Sequence, residues 1–290
     1  MDLLSPENAV GTIAKEITIS AVETLLEQGS GNINEDILLQ AGNLFGVFDG
    51  ATSLEKSGEA GGKTGGLLAA ESAAEVFSRN GGTLSQLAAQ ANQTIQELME
   101  KSGVDLTNRQ YLWSTSCMVV RIDKNEIEWF QIGDSLALIL YEDGSQRLIA
   151  DPIDHDRETL CLWKQCGPDA TGTIREHLAD QILKVREGMN IQYGVLNGEP
   201  QALNFIRHGR EPLAGVTDII LYTDGLFLPR TDPEQPEDMA TFARLYRQGG
   251  LKSIHRRVRE LQRDDPRCTI YPRFKIHDDI AAIALHFQGK

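Results

Sequence analysis

Five short acidic motifs contain the residues of this sequence whose types and spacing could do chemistry. Each lies at the end of an apolar run: Asn34-Glu35-Asp36, Phe48-Asp49-Gly50, Ile132-Gly133-Asp134-Ser135, Tyr222-Thr223-Asp224-Gly225 and His277-Asp278-Asp279. Apolar strands that each deliver a carboxylate at one end can gather those carboxylates in space, and cations must then neutralise the cluster. Oxygen ligands without Cys or His select hard cations such as Mg²⁺ or Mn²⁺ over zinc. The motifs therefore predict a centre for divalent cations.

The elements that must position these motifs are mainly strands. Apolar, β-branched runs predict strands at about 17–26, 37–40, 44–48, 116–122, 127–132, 136–141, 218–222 and 280–287. Turn residues at 123–125 and 142–145 suit antiparallel hairpins. The pattern predicts a mainly antiparallel sheet protein with inserted helices.

Helices are signalled in three places. A segment rich in Ala, Leu and Glu covers 65–79, and a second helix follows Thr83, a predicted N-cap with Gln86 three residues on. A third helical region covers about 236–262. Residues 154–188 carry mixed polar signals and are interpreted as an insertion. Since no repeat or low-complexity linker is present, residues 1–290 are predicted to form a single domain with that insertion.

Composition limits the partners. The 290 residues are 41% hydrophobic and 24% charged, with a formal net charge of −14. Phosphate backbones and anionic membranes attract clustered Lys and Arg, so this charge argues against both as partners. Residues 244–275 differ, with ten Lys or Arg against three Asp or Glu. This stretch is interpreted as a solvated helical face, with a docking surface for acidic partners as the alternative.

Cysteine usage and the N-terminal sequence predict a cytoplasmic location. The four cysteines show no CxxC pair and no zinc-type spacing, which favours reduced thiols. Residues 1–20 lack a basic region followed by an apolar core, and no apolar run is long enough to span a bilayer.

The order and spacing of the motifs resemble those of the metal-dependent protein phosphatases of type 2C, particularly their bacterial members. The resemblance extends from about residue 17 to residue 287 and depends on five motifs in sequence, since any one Asp-Gly pair is commonly a turn. It implies an α+β fold, an antiparallel β-sandwich flanked by helices on both faces in the order α-β-β-α. It also implies a phosphoprotein substrate, hydrolysis of phosphoserine or phosphothreonine, and a kinase as a possible cognate partner.

The resemblance further implies roles for individual residues. Asp49 would bridge two metal ions, Glu35 and the Gly50 carbonyl would complete one site, and Asp224 and Asp278 would complete the other. Asp36 would orient metal-bound water. Asp134 would bind waters or a further, weaker metal ion.

Two ions of this kind perform a known chemistry. Placed about 3.5–4 Å apart, they bind a bridging water, lower its pKa and direct it in line at a phosphoryl group. The expected reaction is a single displacement without a phosphoenzyme. Asp36, Asp49 and Asp134 are the predicted catalytic residues.

Two positions depart from the family pattern. Many members carry a phosphate-binding arginine four residues before the glutamate, where this chain has Gly31. Because a bidentate guanidinium supplies both charge and geometry, another cation is needed, and Lys56, Lys63 and Arg109 are candidates. The animal-type histidine after the bridging Asp-Gly is also absent, so the leaving group needs its proton from water or another group.

Two alternatives stay open from the residues. Ser57-Gly58-Glu59-Ala60-Gly61-Gly62-Lys63-Thr64 nearly matches a phosphate-binding loop of NTPases, but it lacks the first glycine and does not directly follow a parallel strand. The second alternative is a catalytically weak regulatory or binding module in signalling, which Gly31 and the basic stretch favour.

Overall fold

The computed structural model of the chain describes residues 17–51, 62–167 and 171–289. Within them, the strands are β1 (Ile17–Glu27), β2 (Ile37–Ala41), β3 (Leu44–Ala51), β4 (Ser114–Asp123), β5 (Glu126–Ile132), β6 (Leu136–Tyr141), β7 (Gln146–Leu148), β8 (Arg207–Pro212), β9 (Val216–Tyr222) and β10 (Ile280–Gly289). The α-helices are α1 (Gly65–Ser78), α2 (Leu84–Lys101), α3 (Arg157–Cys166), α4 (Ile174–His177), α5 (Ala179–Glu187) and α6 (Met239–Asp264). All the strands predicted from the sequence are present.

The strands form two antiparallel sheets of five strands each. The first sheet has the order β1-β10-β9-β6-β7, and the second has the order β2-β3-β4-β5-β8. No two strands of these sheets pair in parallel within the described residues. This arrangement confirms the predicted antiparallel architecture. It does not provide the buried parallel strand that a phosphate-binding loop requires.

The strands are apolar because both faces of each sheet are covered. Along β3, Val47 packs in the core between the two sheets, while its neighbour Phe48 packs against α1. The Phe48 ring lies 5.7 Å from that of Phe77, centroid to centroid. On the first sheet Leu221 faces the inter-sheet core, and Tyr222 stacks on Phe242 of α6. Since successive strand residues face opposite sides, the fold has four layers, α-β-β-α, as predicted.

Two strands were missing from the sequence prediction. The strand β7 has only three residues, which is too short to show alternation. The strand β8 is Arg207-His208-Gly209-Arg210-Glu211-Pro212, a charged segment at the edge of the second sheet. Charges and proline are usual on edge strands, where they discourage pairing with other chains, so an apolar pattern is not expected there.

The helix signals were correct in position. Thr83 and Gln86 form the predicted capping box at the start of α2. The helix α6 begins at Met239 and is interrupted at Gly249 and Gly250, where Gly250 has a φ of 65°. The helix restarts with the Leu251 N–H donating to the Glu23 carboxylate of β1 at 3.1 Å.

The basic stretch lies mainly on the outer face of α6. Leu251, Ile254 and Val258 are buried, while Lys252 and Arg256 on the same helix are exposed. The alternation supports a solvated helical face, and docking of an acidic partner stays a prediction.

Candidate metal centre

Strand register brings three of the acidic motifs to one end of the first sheet. Tyr222 of β9 is opposite Ala282 of β10 on one side and Leu136 of β6 on the other. In antiparallel pairs, residues just beyond β9 lie beside residues just before its two neighbours. Asp224, which follows β9, therefore comes close to Asp134 and Asp278, which precede β6 and β10.

The second sheet delivers the other two motifs in the same way. Ile37 of β2 is opposite Phe48 of β3. Extending that register places Glu35 opposite Gly50, and the Gly50 N–H donates to the Glu35 carbonyl oxygen at 3.2 Å. Gly50 also touches α1 so closely that a Cβ at this position would collide with the Gly66 carbonyl oxygen. A glycine is therefore required there.

The ends of both sheets open into one cavity of about 300 Å³, here called the acidic centre. Its lining includes all the residues predicted as metal ligands: Glu35, Asp49, Gly50, Asp134, Asp224 and Asp278. A second cavity of about 330 Å³ shares the wall formed by Asp134, Asp224 and Asp278. The chain thus gathers carboxylates from five separate motifs around one space.

Crowding and burial act on these carboxylates in the same direction. Burial first, and then the carboxylates of Asp36 and Asp224, raise the pKa of Asp49 well above its usual range. Burial also raises the pKa of Asp224, together with Asp278 and Asp134, while a hydrogen bond shared with Asp49 partly opposes this rise. Both shifts indicate too little positive charge for the number of carboxylates.

Asp36 lies beneath the acidic centre rather than in its lining. It is buried, and its Oδ2 accepts a hydrogen bond from the Thr223 hydroxyl at 2.7 Å. Burial raises the pKa of Asp36, the Thr223 hydrogen bond lowers it, and Asp278 raises it again. Asp36 is therefore placed to support the carboxylates above it.

Asp279 has a structural role. Its Oδ1 accepts from the Gly29 N–H at 2.7 Å and its Oδ2 accepts from the Glu35 N–H at 3.2 Å. It is absent from the lining of both cavities. These bonds tie the loop before β2 to the start of β10, so Asp278 rather than Asp279 faces the acidic centre.

One cation already contacts the acidic centre. The Lys275 ammonium donates to Asp278 Oδ1 at 2.6 Å and lies 3.9 Å from Asp279 Oδ2. Burial alone would lower the pKa of Lys275, but Asp278, Asp279 and Asp49 raise it above its ordinary value. The sequence interpretation missed this residue, although a lysine three residues before Asp278 was a visible signal.

The carboxylates share the cavity without converging on one point. In the described parts of the chain, no group of three or more His, Cys, Asp or Glu side chains is arranged so that it could hold a metal ion. The ion pair with Lys275 engages Asp278, one of the carboxylates that an ion would need. The donor set nevertheless fits hard divalent ions, because it is all oxygen and already attracts a cation at Asp278.

The predicted insertion supplies one wall of the acidic centre. It contains α3, α4 and α5, and Arg175, Ile182, Val185 and Arg186 line the cavity. Burial lowers the pKa of the Arg186 guanidinium, Tyr193 opposes this shift, and the nearby Arg175 lowers the pKa further.

His155 and Asp156 of the insertion were also missed from the sequence. The His155 ring stacks on Tyr193 with centroids 4.1 Å apart, and its Nδ1 lies 3.9 Å from Asp134 Oδ2. Burial lowers the pKa of His155, but Asp156, Asp134 and Asp154 raise it overall. Asp154-His155-Asp156 was a possible signal, since an imidazole between two carboxylates tends to be charged.

The cations proposed from the sequence to replace the arginine absent at Gly31 lie elsewhere. Lys63 pairs with Glu71 at 2.7 Å, and Arg109 pairs with Glu199 at 2.6 Å. Neither residue lines the acidic centre. Lys56 lies outside the described residues, as do Ser57 to Gly61 of the loop considered for an NTPase.

The remaining sequence expectations concern thiols and membranes. All four cysteines, Cys117, Cys161, Cys166 and Cys268, are free, as expected for reduced thiols. None of the helices in the described ranges has the length and apolarity needed to cross a bilayer.

Solved structures share this fold. The fold is similar to the catalytic domain of the serine/threonine protein phosphatase PstP in complex with two manganese ions, with 15% identity, a TM-score of 0.55 and coverage of 94% of this chain and 98% of that one. Stp1 of Staphylococcus aureus gives 13% identity, a TM-score of 0.55 and coverage of 94% and 96%. PppA, a key regulatory component of the T6SS in Pseudomonas aeruginosa, gives 14% identity, a TM-score of 0.57 and coverage of 94% of this chain and 100% of that one.

The family follows from the sequence. A family model described as Protein phosphatase 2C matches residues 28–261. The chain belongs to the protein phosphatase 2C family. No curated protein matches the sequence.

Proposed function

We propose that the chain is a Mg²⁺- or Mn²⁺-dependent protein serine/threonine phosphatase that hydrolyses phosphoserine and phosphothreonine in protein substrates. The observation that carries this proposal is the gathering of Glu35, Asp49, Asp224 and Asp278 around one cavity at the end of the sandwich. Membership of the protein phosphatase 2C family supports the reaction class.

The chain's own residues would divide the work as follows. Glu35, Asp49 and the Gly50 carbonyl would hold one divalent ion, and Asp49, Asp224 and Asp278 would hold the other. Asp134 would hold waters or a third, weaker ion. When bound, such ions activate water for attack on phosphorus and neutralise the charge of the phosphate.

Other residues would fix the geometry and bind the substrate. Asp36, held by Thr223, would orient water from below the carboxylates. Arg175 and Arg186 line the cavity opposite the sheet ends and would supply positive charge toward the phosphate in place of the arginine absent at Gly31. Gly31 itself is exposed and does not line the cavity.

The direct test is hydrolysis of p-nitrophenyl phosphate and of phosphoserine peptides, with added Mn²⁺ and with EDTA. We expect turnover only with the metal and loss of turnover in Asp49→Asn. Hydrolysis that continues in EDTA, or at an unchanged rate in Asp49→Asn, would contradict the proposal.

The insertion is proposed to act as a flap over the acidic centre, because its residues form a wall of the cavity. Replacing residues 157–187 by a short Gly-Ser linker also removes Arg175 and Arg186, so it should lower the hydrolysis of every phosphoester and, in addition, change the preference among phosphopeptides. An unaltered peptide preference would rule out the flap.

A cognate kinase as partner and a cytoplasmic location belong to the proposal of a protein phosphatase.

A second candidate function is a regulatory or binding module with little catalysis. The ion pair between Lys275 and Asp278 favours it, since it occupies a carboxylate that an active metal centre needs. A stable signalling partner, recovered together with no Mn²⁺-dependent hydrolysis on a phosphopeptide panel, would support this alternative over the phosphatase.

A further inference from the structure

The loop that carries Lys275 is built independently of the acidic centre. It connects α6 to β10, and its anchor is the buried carboxylate of Asp265. That carboxylate accepts from the N–H groups of Thr269, Ile270 and Tyr271 at 3.1, 3.2 and 2.9 Å. It also accepts from Arg273 Nη1 at 2.9 Å.

The same loop is fixed on both sides of Lys275. Arg273 donates to the carbonyl oxygens of Tyr271 at 2.8 Å, Ile276 at 3.2 Å and Gln262 at 3.1 Å. At the other end, Arg259 donates to the Asp278 carbonyl oxygen at 2.9 Å. Because the backbone is held before and after it, Lys275 is directed toward the acidic centre by the loop.

The Lys275 ammonium occupies a cation position. It lies 2.6 Å from Asp278 Oδ1, and Lys275 lines both cavities that meet at the carboxylates. A magnesium ion binds an oxygen ligand at about 2.0–2.1 Å. An ammonium and a divalent ion cannot both bind this oxygen closely, because two cations a few ångströms apart repel each other.

We propose that Lys275 is an internal counter-ion of the acidic centre, which a divalent ion must displace from Asp278 in order to bind there. Lys275 is thus a positioning residue that sets the affinity of the site built from Asp49, Asp224 and Asp278. The site that uses Glu35 and the Gly50 carbonyl is less affected. This inference rests on the proposed function, since it assumes the same metal centre.

The consequence is unequal binding of two ions. The ion at Glu35 and Gly50 binds first, and the ion at Asp278 binds only at higher concentration, when the ammonium swings away. The released ammonium then remains in a cavity that must accept a phosphate dianion, and its positive charge attracts that phosphate.

The test is Mn²⁺ binding to the full chain, measured by calorimetry and by the electron paramagnetic resonance signal of free Mn²⁺. Lys275→Met removes the charge and keeps the length of the side chain. We expect it to tighten the weaker Mn²⁺ site by up to about fivefold, which is the effect of removing one competing ion pair that is partly exposed. Lys275→Arg keeps the charge and should bind Mn²⁺ more weakly than Lys275→Met.

Lys63→Met is the matched control. Lys63 also pairs with a carboxylate, Glu71, at 2.7 Å, but it lines neither cavity. Its replacement should leave Mn²⁺ affinity unchanged. Thermal unfolding gives a second readout, because Mn²⁺ should raise the melting temperature of Lys275→Met more than that of the original chain.

The outcomes separate this inference from the proposed function. Equal Mn²⁺ affinity in the original chain and in Lys275→Met, with Mn²⁺-dependent hydrolysis intact, would overturn the role of Lys275 alone. Absence of Mn²⁺ binding in every variant would overturn both. Binding of a second ion only in Lys275→Met would support the inference in its strongest form.

Discussion

Two regions of the molecule remove aspartates from water, one completely and the other partly, with opposite effects on their pKa values. Asp265 is 3% exposed, and burial alone would raise its pKa, but three backbone N–H donors and Arg273 lower it below the usual range. In the acidic centre, burial and neighbouring carboxylates raise the pKa values of Asp49 and Asp224.

The difference teaches how to recognise a functional carboxylate. Asp265 has a partner for each oxygen and stabilises a loop, so its charge is fully compensated. Asp49 and Asp224 lack such compensation, and the fold keeps them together at a cost in stability. A region that is unfavourable for folding and yet assembled from distant segments points to ligand binding.

The largest expected effect comes from replacing the uncompensated aspartates of the acidic centre. Asp49→Asn and Asp224→Asn should each lower Mn²⁺-dependent turnover on the order of 10³-fold, because each removes a charge that would hold the activating ion. In EDTA at pH 8 the same variants should unfold at an equal or higher temperature, because a repelling charge is removed. Steady-state kinetics and thermal unfolding measure the two effects.

Asp143→Asn is the control for that pair. Asp143 lies in an exposed turn, where its Oδ1 accepts from the N–H and the hydroxyl of Ser145. Its replacement should change neither turnover nor melting temperature. A loss of stability in Asp49→Asn, measured without metal, would speak against an uncompensated cluster.

Replacing the compensated aspartate, Asp265, should lower the stability of the fold. Asp265→Asn removes the charge that faces Arg273 and weakens three backbone bonds, so the free energy of unfolding should fall by about 3–5 kcal/mol. Urea unfolding monitored by tryptophan fluorescence provides the measurement. A variant as stable as the original chain would show that the network contributes nothing net.

The carboxylate of Glu237 is only partly compensated. Its Oε1 pairs with Arg230 at 3.1 Å, while its Oε2 is buried and has no hydrogen-bond partner among the described residues. Burial raises the pKa of Glu237 to about 7 from an ordinary 4.5, with Arg230 opposing the rise. The folded protein thus holds a proton that the unfolded chain releases.

This pKa has a definite sign for stability. The contribution of Glu237 is complete below about pH 4.5 and is lost as the pH rises through 7, which amounts to on the order of 3 kcal/mol. In Glu237→Gln the decline of unfolding free energy between pH 5 and pH 8 should be smaller. Urea titrations at several pH values measure it, and equal slopes in both proteins would contradict the assignment.

The smallest effect is expected at Thr223. Thr223→Val keeps the shape but removes the hydroxyl that donates to Asp36 and accepts from the Ala281 N–H at 2.9 Å. The free energy of unfolding should fall by about 1–2 kcal/mol. Thr223→Ser keeps the hydroxyl and serves as the control. If both variants lose the same stability, the missing methyl group rather than the hydrogen bond is responsible.

The sequence predicted the fold where its elements are buried on both faces. Runs such as those of β3 and β9 are continuous and apolar because helices cover one side and the other sheet covers the second. The edge strand β8 was missed because a charged edge has no apolar pattern. The helix α2 was recognisable from its capping box and from apolar residues at helical spacing.

The residues of the candidate site also fall into those that the sequence predicted and those that it did not. Three motifs at strand ends were visible as Asp-Gly or Gly-Asp pairs, whereas Glu35 and Asp278 were assigned from the family resemblance, and all the predicted ligands line the cavity. The side chains that come from loops and from the insertion, such as Lys275, Arg186 and His155, could not be placed. Their position depends on how irregular backbone is held, which no periodicity records.

The pairing of β1 with β10 has a consequence for synthesis of the chain on the ribosome. The strands of the second sheet all lie between residues 37 and 212, whereas the first sheet needs β10, which lies between β1 and β9 and ends at Gly289. Such non-local pairing cannot begin before the late segment has emerged. Until β10 has emerged, Glu35 and Asp49 are therefore present without Asp278, and the acidic centre is incomplete.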